Sequence, residues 1–116
     1  MKIEITPEIL EDFKNKNVPA ICTVGQKNVV FNQPAIKMLV LKNGSNFLLE
    51  IEDGTLYYKD APKGFKLAET GKYHALMANI TGIGKYIETF FKTGLIKKRF
   101  EVGELKDGRR KLELIS

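Results

Sequence analysis

The chain is poor in the residues that most chemistry needs, and each scarcity closes a class of function. A single cysteine, Cys22, permits no internal disulfide, in keeping with a reducing compartment. One histidine, His74, with no acid or cysteine beside it in sequence, offers no general base. Together with one cysteine it falls short of the three or four ligands of a metal centre. No Ser, His and Asp arrangement with a nucleophile elbow is present. No apolar run approaches the roughly 18 residues of a membrane span, and Met1-Lys2-Ile3-Glu4-Ile5 lacks the apolar stretch of a signal peptide. The expectation is a cytoplasmic, non-enzymatic protein without cofactor or metal. Ten glycines and four prolines in 116 residues are too few for a disordered or fibrous chain. What is present, 43% hydrophobic and 28% charged residues, suits one domain with a modest core.

Charge is unevenly placed. Residues 1–60 carry seven lysines against eight acids, whereas residues 61–116 carry twelve Lys or Arg against six, so the formal +5 resides in the second half. Such asymmetry suggests one surface that faces a polyanion. Lysines that merely keep a small domain soluble are the plainer explanation.

Ile3 and Ile5 alternate with polar residues and predict a short strand, and Thr6-Pro7-Glu8 opens a helix over about 7–15 with Ile9, Leu10 and Phe13 on one face. Strands at 20–24 and 29–31 form a hairpin around Gly25-Gln26-Lys27-Asn28. Asn32 then caps a helix over 34–41 with Ala35, Ile36, Leu39 and Val40 facing inward. Residues 47–58 make a second hairpin about Asp53-Gly54. A two-residue turn there sets Ile51 opposite Leu56 and Leu49 opposite Tyr58, which places the apolar side chains on one face.

The order then repeats. Strands at 65–68 and 73–78 flank a turn at 69–72, Asn79 precedes a helix over 82–92, and a third hairpin spans 96–115 around the loop Lys106-Asp107-Gly108. Val102 opposite Leu112 and Phe100 opposite Leu114 satisfy its core pattern. The expected fold is α+β: one domain, 1–116, built from two strand-strand-helix-strand-strand units (18–60 and 64–116) that share one core. It would be a pseudo-twofold sheet sandwich or a partly open barrel, behind an N-terminal strand and helix.

The stretch from Lys27-Asn28-Val29-Val30-Phe31-Asn32 through Lys42-Asn43-Gly44-Ser45, with the hairpin after it, resembles the DNA-binding unit of the AbrB-type transition-state-regulator family, the swapped-hairpin fold. The likeness covers about residues 23–60 and implies a DNA-binding, regulatory role in an interdigitated dimer, which two units in one chain could imitate. Asn28 stands where that family commonly has arginine, Asn32 where it has proline, Val40 where it has glycine and Ser45 where it has aspartate. The family's DNA-reading arginines are therefore missing, and nucleic-acid contact is expected in the basic second half.

There, Lys97-Lys98-Arg99 and Arg109-Arg110-Lys111 flank one hairpin, with Arg99, Arg109 and Lys111 on its outer face and Lys98 and Arg110 toward the other. Clustered cations on a curved strand pair can track phosphates, while Glu101 and Glu113 dilute that face and a solvated edge would look the same. Lys85, one turn into the helix that opens at Asn79-Ile80-Thr81-Gly82, and Lys27 complete the expected contacts; the helix start lacks nucleotide-loop spacing. Tyr57, Tyr58 and Tyr73 could stack bases if exposed. The reading is a DNA-binding or regulatory protein, monomeric with pseudo-twofold symmetry or homodimeric. The alternatives are a protein-interaction or assembly module of a phage or mobile element, and a single-stranded nucleic-acid binder.

Overall fold

The computed structural model describes residues 2–10, 19–70 and 75–115. Its elements run β1 (Ile21–Val24), β2 (Asn28–Phe31), α1 (Gln33–Leu39), β3 (Asn46–Glu52), β4 (Thr55–Asp60), β5 (Phe65–Lys66), β6 (Ala68–Thr70), β7 (Ala75–Asn79), α2 (Ile83–Phe91), β8 (Lys98–Lys106) and β9 (Arg109–Leu114). Residues 2–6 are irregular, with Ile3 and Ile5 about three-quarters exposed, so the expected first strand is not formed. The Thr6 hydroxyl accepts from the Ile9 amide and residues 7–10 are helical; the rest of the expected 7–15 helix lies outside the described residues.

The strands form one α+β domain around a nearly closed, barrel-like sheet of order β5-β3-β4-β9-β8-β1-β2-β7-β6, with antiparallel pairing throughout. The pairings of the first half recur in the second: β1 with β2 and β6 with β7, β3 with β4 and β8 with β9. Four pairings join the halves, β1·β8, β2·β7, β3·β5 and β4·β9, with Cys22 opposite Phe100, Phe31 opposite Leu76 and Leu56 opposite Leu112. The stretch 65–70 splits at the buried Leu67, its first part pairing with β3 and its second with β7, so it touches both ends of the sheet. One core fills the interior. Phe31 meets Phe47 and Tyr58 edge-on at 5.3 and 5.6 Å, and Cys22, Val24, Leu56, Phe100 and Leu112 pack around them. Burial pushes the Cys22 thiol far above its ordinary range, which suits a packing residue.

The tight turn at Asp53-Gly54 holds Ile51 opposite Leu56 and Leu49 opposite Tyr58, as its sequence requires. In β8–β9, Phe100 faces Leu114 and Val102 faces Leu112, but Lys106 pairs directly with Arg109. The turn is thus two residues, Asp107-Gly108, both at positive φ, and not the three expected; the extra residue is a bulge between Val102 and Leu105. Strand β6 also continues through Thr70, where a turn was expected.

Asn32 caps α1 by accepting from the Ala35 amide at 3.0 Å, and the same oxygen accepts from Ile21 of β1. Val40 ends α1 at φ 54, a left-handed conformation that turns its side chain outward to 85% exposure, so it does not join Ala35 and Leu39 inside. Asn79 does not cap α2. It closes β7 opposite Asn28, and Gly82, at φ 84, leads into the helix.

Candidate nucleic-acid interface

The cations expected to bind phosphate fall into two groups once their partners are known. In the β8–β9 hairpin, Lys98 points into the interior and is fully buried. Its ammonium donates to the carbonyls of Leu95 and Ile96 and pairs with Glu88 at 3.2 Å, fastening the end of α2 to β8. Burial alone would raise the Glu88 carboxyl, but the Thr93 amide and Lys98 outweigh it and hold it below the usual range. Lys98 therefore reaches no phosphate, because its charge is neutralised inside.

Arg109 is committed as well. Its guanidinium pairs with Glu50 at 3.2 Å and Glu52 at 3.1 Å, both on β3, and lies 3.8 Å over the Tyr57 ring of β4. Lys59 adds a contact to Glu50 at 3.4 Å, and its hydrogen bond, with that of Arg109, holds the Glu50 carboxyl below the usual range. Arg110 is half-buried and donates to the Gly103 carbonyl at the bulge. Lys111 is exposed, but the hollow of about 430 Å³ beside it is lined by Glu104, Asp107 and Glu113 as well as Lys106 and Arg109. Residues 100–115 hold four cations and four acids, so beyond Lys98 and Arg99 the hairpin carries no net charge.

The second group lies at the end of the barrel where α2 begins. The Gly84 amide donates to the Gln26 carbonyl at 3.2 Å and the Ile80 amide to the Lys27 carbonyl at 2.8 Å, which seats the start of α2 on the β1–β2 turn. Any side chain at Gly84 would place its Cβ 2.6 Å from the Gly25 carbonyl oxygen and 2.8 Å from Ile96, so the glycine permits the approach. Pairing of β1 with β8 sets Lys98 opposite Val24 and Arg99 opposite Thr23. Lys27, Lys85, Lys97 and Arg99 thus belong to segments that meet here, and Lys92 follows α2. All five are exposed, and among the described residues none is ion-paired.

The charge of the meeting segments is decisive. Residues 19–31 and 79–99 together hold six cations and one acid, Glu88, so they account for the chain's entire net charge of +5 and leave the remainder neutral. Glu88 is already paired with Lys98. The formal charge excess of the chain therefore resides in these two segments.

The strand tyrosines offer little for stacking: Tyr58 is buried and bonded to Asp60, Tyr57 lies under Arg109, and Tyr73, like His74, is outside the described residues. The most exposed aromatics among the described residues are Tyr86 and Phe90 of α2, at 62% and 49% exposure, ahead of Phe65. Five apolar positions in a nine-residue helix span a wider arc than one buried stripe can use; Ile83 and Ile87 take the buried side. That excess was the available sequence signal. Among the described residues no three His, Cys, Asp or Glu side chains converge on a metal site, and no helix is long and apolar enough to cross a membrane.

Compared with known proteins, the chain matches no protein-family model, and no curated protein or solved structure is significantly similar to it.

Proposed function

We propose that the protein is a non-enzymatic nucleic-acid-binding module that holds phosphates at the α2 end of the barrel through Lys27, Lys85, Lys92, Lys97 and Arg99. One observation carries the reading: the whole formal charge excess lies in two segments that touch, and its exposed members have no acidic partner among the described residues. Phosphate contacts need charge and reach more than fixed geometry, and five exposed side chains on three segments provide both. The recurrence of strand pairings in the two halves supports reading the chain as two interleaved strand-strand-helix-strand-strand units, a single-chain counterpart of the swapped-hairpin dimer.

The test is a salt series of binding to nucleic acid by the wild type and by two sets of variants. Lys85→Gln, Lys97→Gln and Arg99→Gln combined are expected to lower affinity and reduce the salt slope by roughly 0.7 to 0.9 for each phosphate no longer neutralised. Arg109→Gln with Lys111→Gln in the hairpin is expected to do little. Equal effects from both sets would remove the assignment to the α2 end, and no binding by wild type at low salt would end the nucleic-acid reading.

A further inference from the structure

The aromatic face of α2 adjoins the basic one, and no packing in the core explains it. Tyr86 and Phe90 stand one turn apart with rings 5.3 Å between centroids, edge to face, and both are largely exposed. Behind them a groove of about 340 Å³ runs between α2 and β3, with Leu49 and Ile51 in its floor and the exposed Phe65 on its far wall. Lys85 precedes Tyr86 in the chain and Lys92 follows Phe90 by two residues, so exposed cations bracket the exposed rings.

We infer that the ligand of this end is single-stranded nucleic acid, its phosphates on the cations and its bases stacked on Tyr86 and Phe90 at the mouth of the groove. The inference rests on the phosphate-binding reading above and adds the class of strand. A duplex keeps its base faces stacked inside and shows only edges, so exposed rings have nothing to stack on; unpaired bases expose π-faces, and aromatic platforms beside cations suit them. Stacking of this kind is tolerant of sequence, and the groove behind the rings holds no charged lining residue that would read a base edge. The field of the basic segments is the complement that a polyanion needs and that an apolar peptide does not.

Fluorescence anisotropy with a labelled oligothymidylate of about 20 nucleotides, against a duplex of the same length, decides between the two strand classes. The wild type is expected to prefer the single strand. Tyr86→Leu and Phe90→Leu, which keep apolar bulk and remove the ring, should each weaken oligothymidylate binding about 10-fold with an unchanged salt slope. Tyr86→Phe should retain affinity. Thermal unfolding of each variant should match the wild type, since both side chains are exposed. Unchanged oligothymidylate affinity in both leucine variants, alongside weaker binding in the lysine variants, would overturn stacking while leaving phosphate binding in place. A duplex bound as well as the single strand would overturn it too. A change in sedimentation of the leucine variants would assign the groove to self-association instead. Failure of the wild type to bind any nucleic acid would remove this inference together with the function it rests on.

Discussion

The β8–β9 hairpin and the α2 end of the barrel are similarly rich in cations, yet they are electrically different. In the hairpin beyond Arg99 acids match cations in number, and Arg109 is gripped by two carboxylates across the sheet. At the α2 end the only acid of the two meeting segments is taken by a lysine that is itself buried. The number of basic residues in a stretch therefore says little about its field; what matters is which acids the fold brings within reach.

The most severe way to break this contrast is to separate the segments that create it. Gly84→Ala puts a methyl group 2.6 Å from the Gly25 carbonyl oxygen and 2.7 Å from the Gln26 Cα, both backbone atoms that cannot step aside. A loss of about 2 kcal/mol is expected, despite the better helix propensity of alanine, with a fall in Tm on the order of 10 °C by differential scanning calorimetry. Nucleic-acid affinity measured below that transition should fall with it, because Lys85 would shift relative to Lys27 and Lys97.

A smaller effect separates stability from binding. Lys98→Met removes a fully buried ammonium whose donors are used by Glu88 and two carbonyls, leaving those carbonyls without a partner. Chemical denaturation should show a loss of about 1 to 3 kcal/mol. The salt slope of nucleic-acid binding should stay as in the wild type; a reduced slope would place Lys98 among the phosphate ligands after all.

The smallest effect concerns the hairpin's own network and fades in acid. The Glu50 carboxyl is held below its ordinary 4.5 by Lys59 and then by Arg109. A carboxyl whose folded pKa is depressed contributes stability that is present above the unfolded value and lost as pH falls through the folded one. Glu50→Gln should therefore lower stability slightly at pH 7 and flatten its decline below pH 4.5, with the difference from wild type shrinking as salt is added. An equal difference at neutral pH and in strong acid would show that the network gives no pH-linked stability.

Much of the architecture was legible where a local signal fixes geometry. Asp53-Gly54 forces a two-residue turn, and the register of Ile51 and Leu56 follows from it. Asn32 was legible as a cap because its acceptor serves an amide three residues on. The bulge of β8 was not, since alternation on either side of it reads the same whether the extra residue sits in the strand or in the turn. Asn79 was legible as the residue between strand and helix, since β7 ends on it and α2 follows at Ile83 close to the expected start. The candidate interface was half legible: the excess charge of the second half was visible, but Lys27 comes from the first half and joins through tertiary contacts. Alternation placed Lys98 on the inner face with Phe100, but the acid that neutralises it there, Glu88, lies ten residues away on a helix and is beyond what strand alternation reports.

The division of 65–70 at Leu67 has a consequence for how this sheet meets its surroundings. Both terminal strands of the nine, β5 and β6, belong to the same short stretch of backbone and are two and three residues long. A sheet of this size ordinarily ends in two rims of unsatisfied amides and carbonyls that invite a foreign strand. Here the two terminal strands are neighbours in the chain, separated only by the side chain of Leu67 sunk in the core. The two ends of the sheet are thus tied together by one stretch of backbone, and β5 covers β3 only at Asn46 and Phe47, so the edge of β3 beyond Phe47 stays open beside the groove under α2.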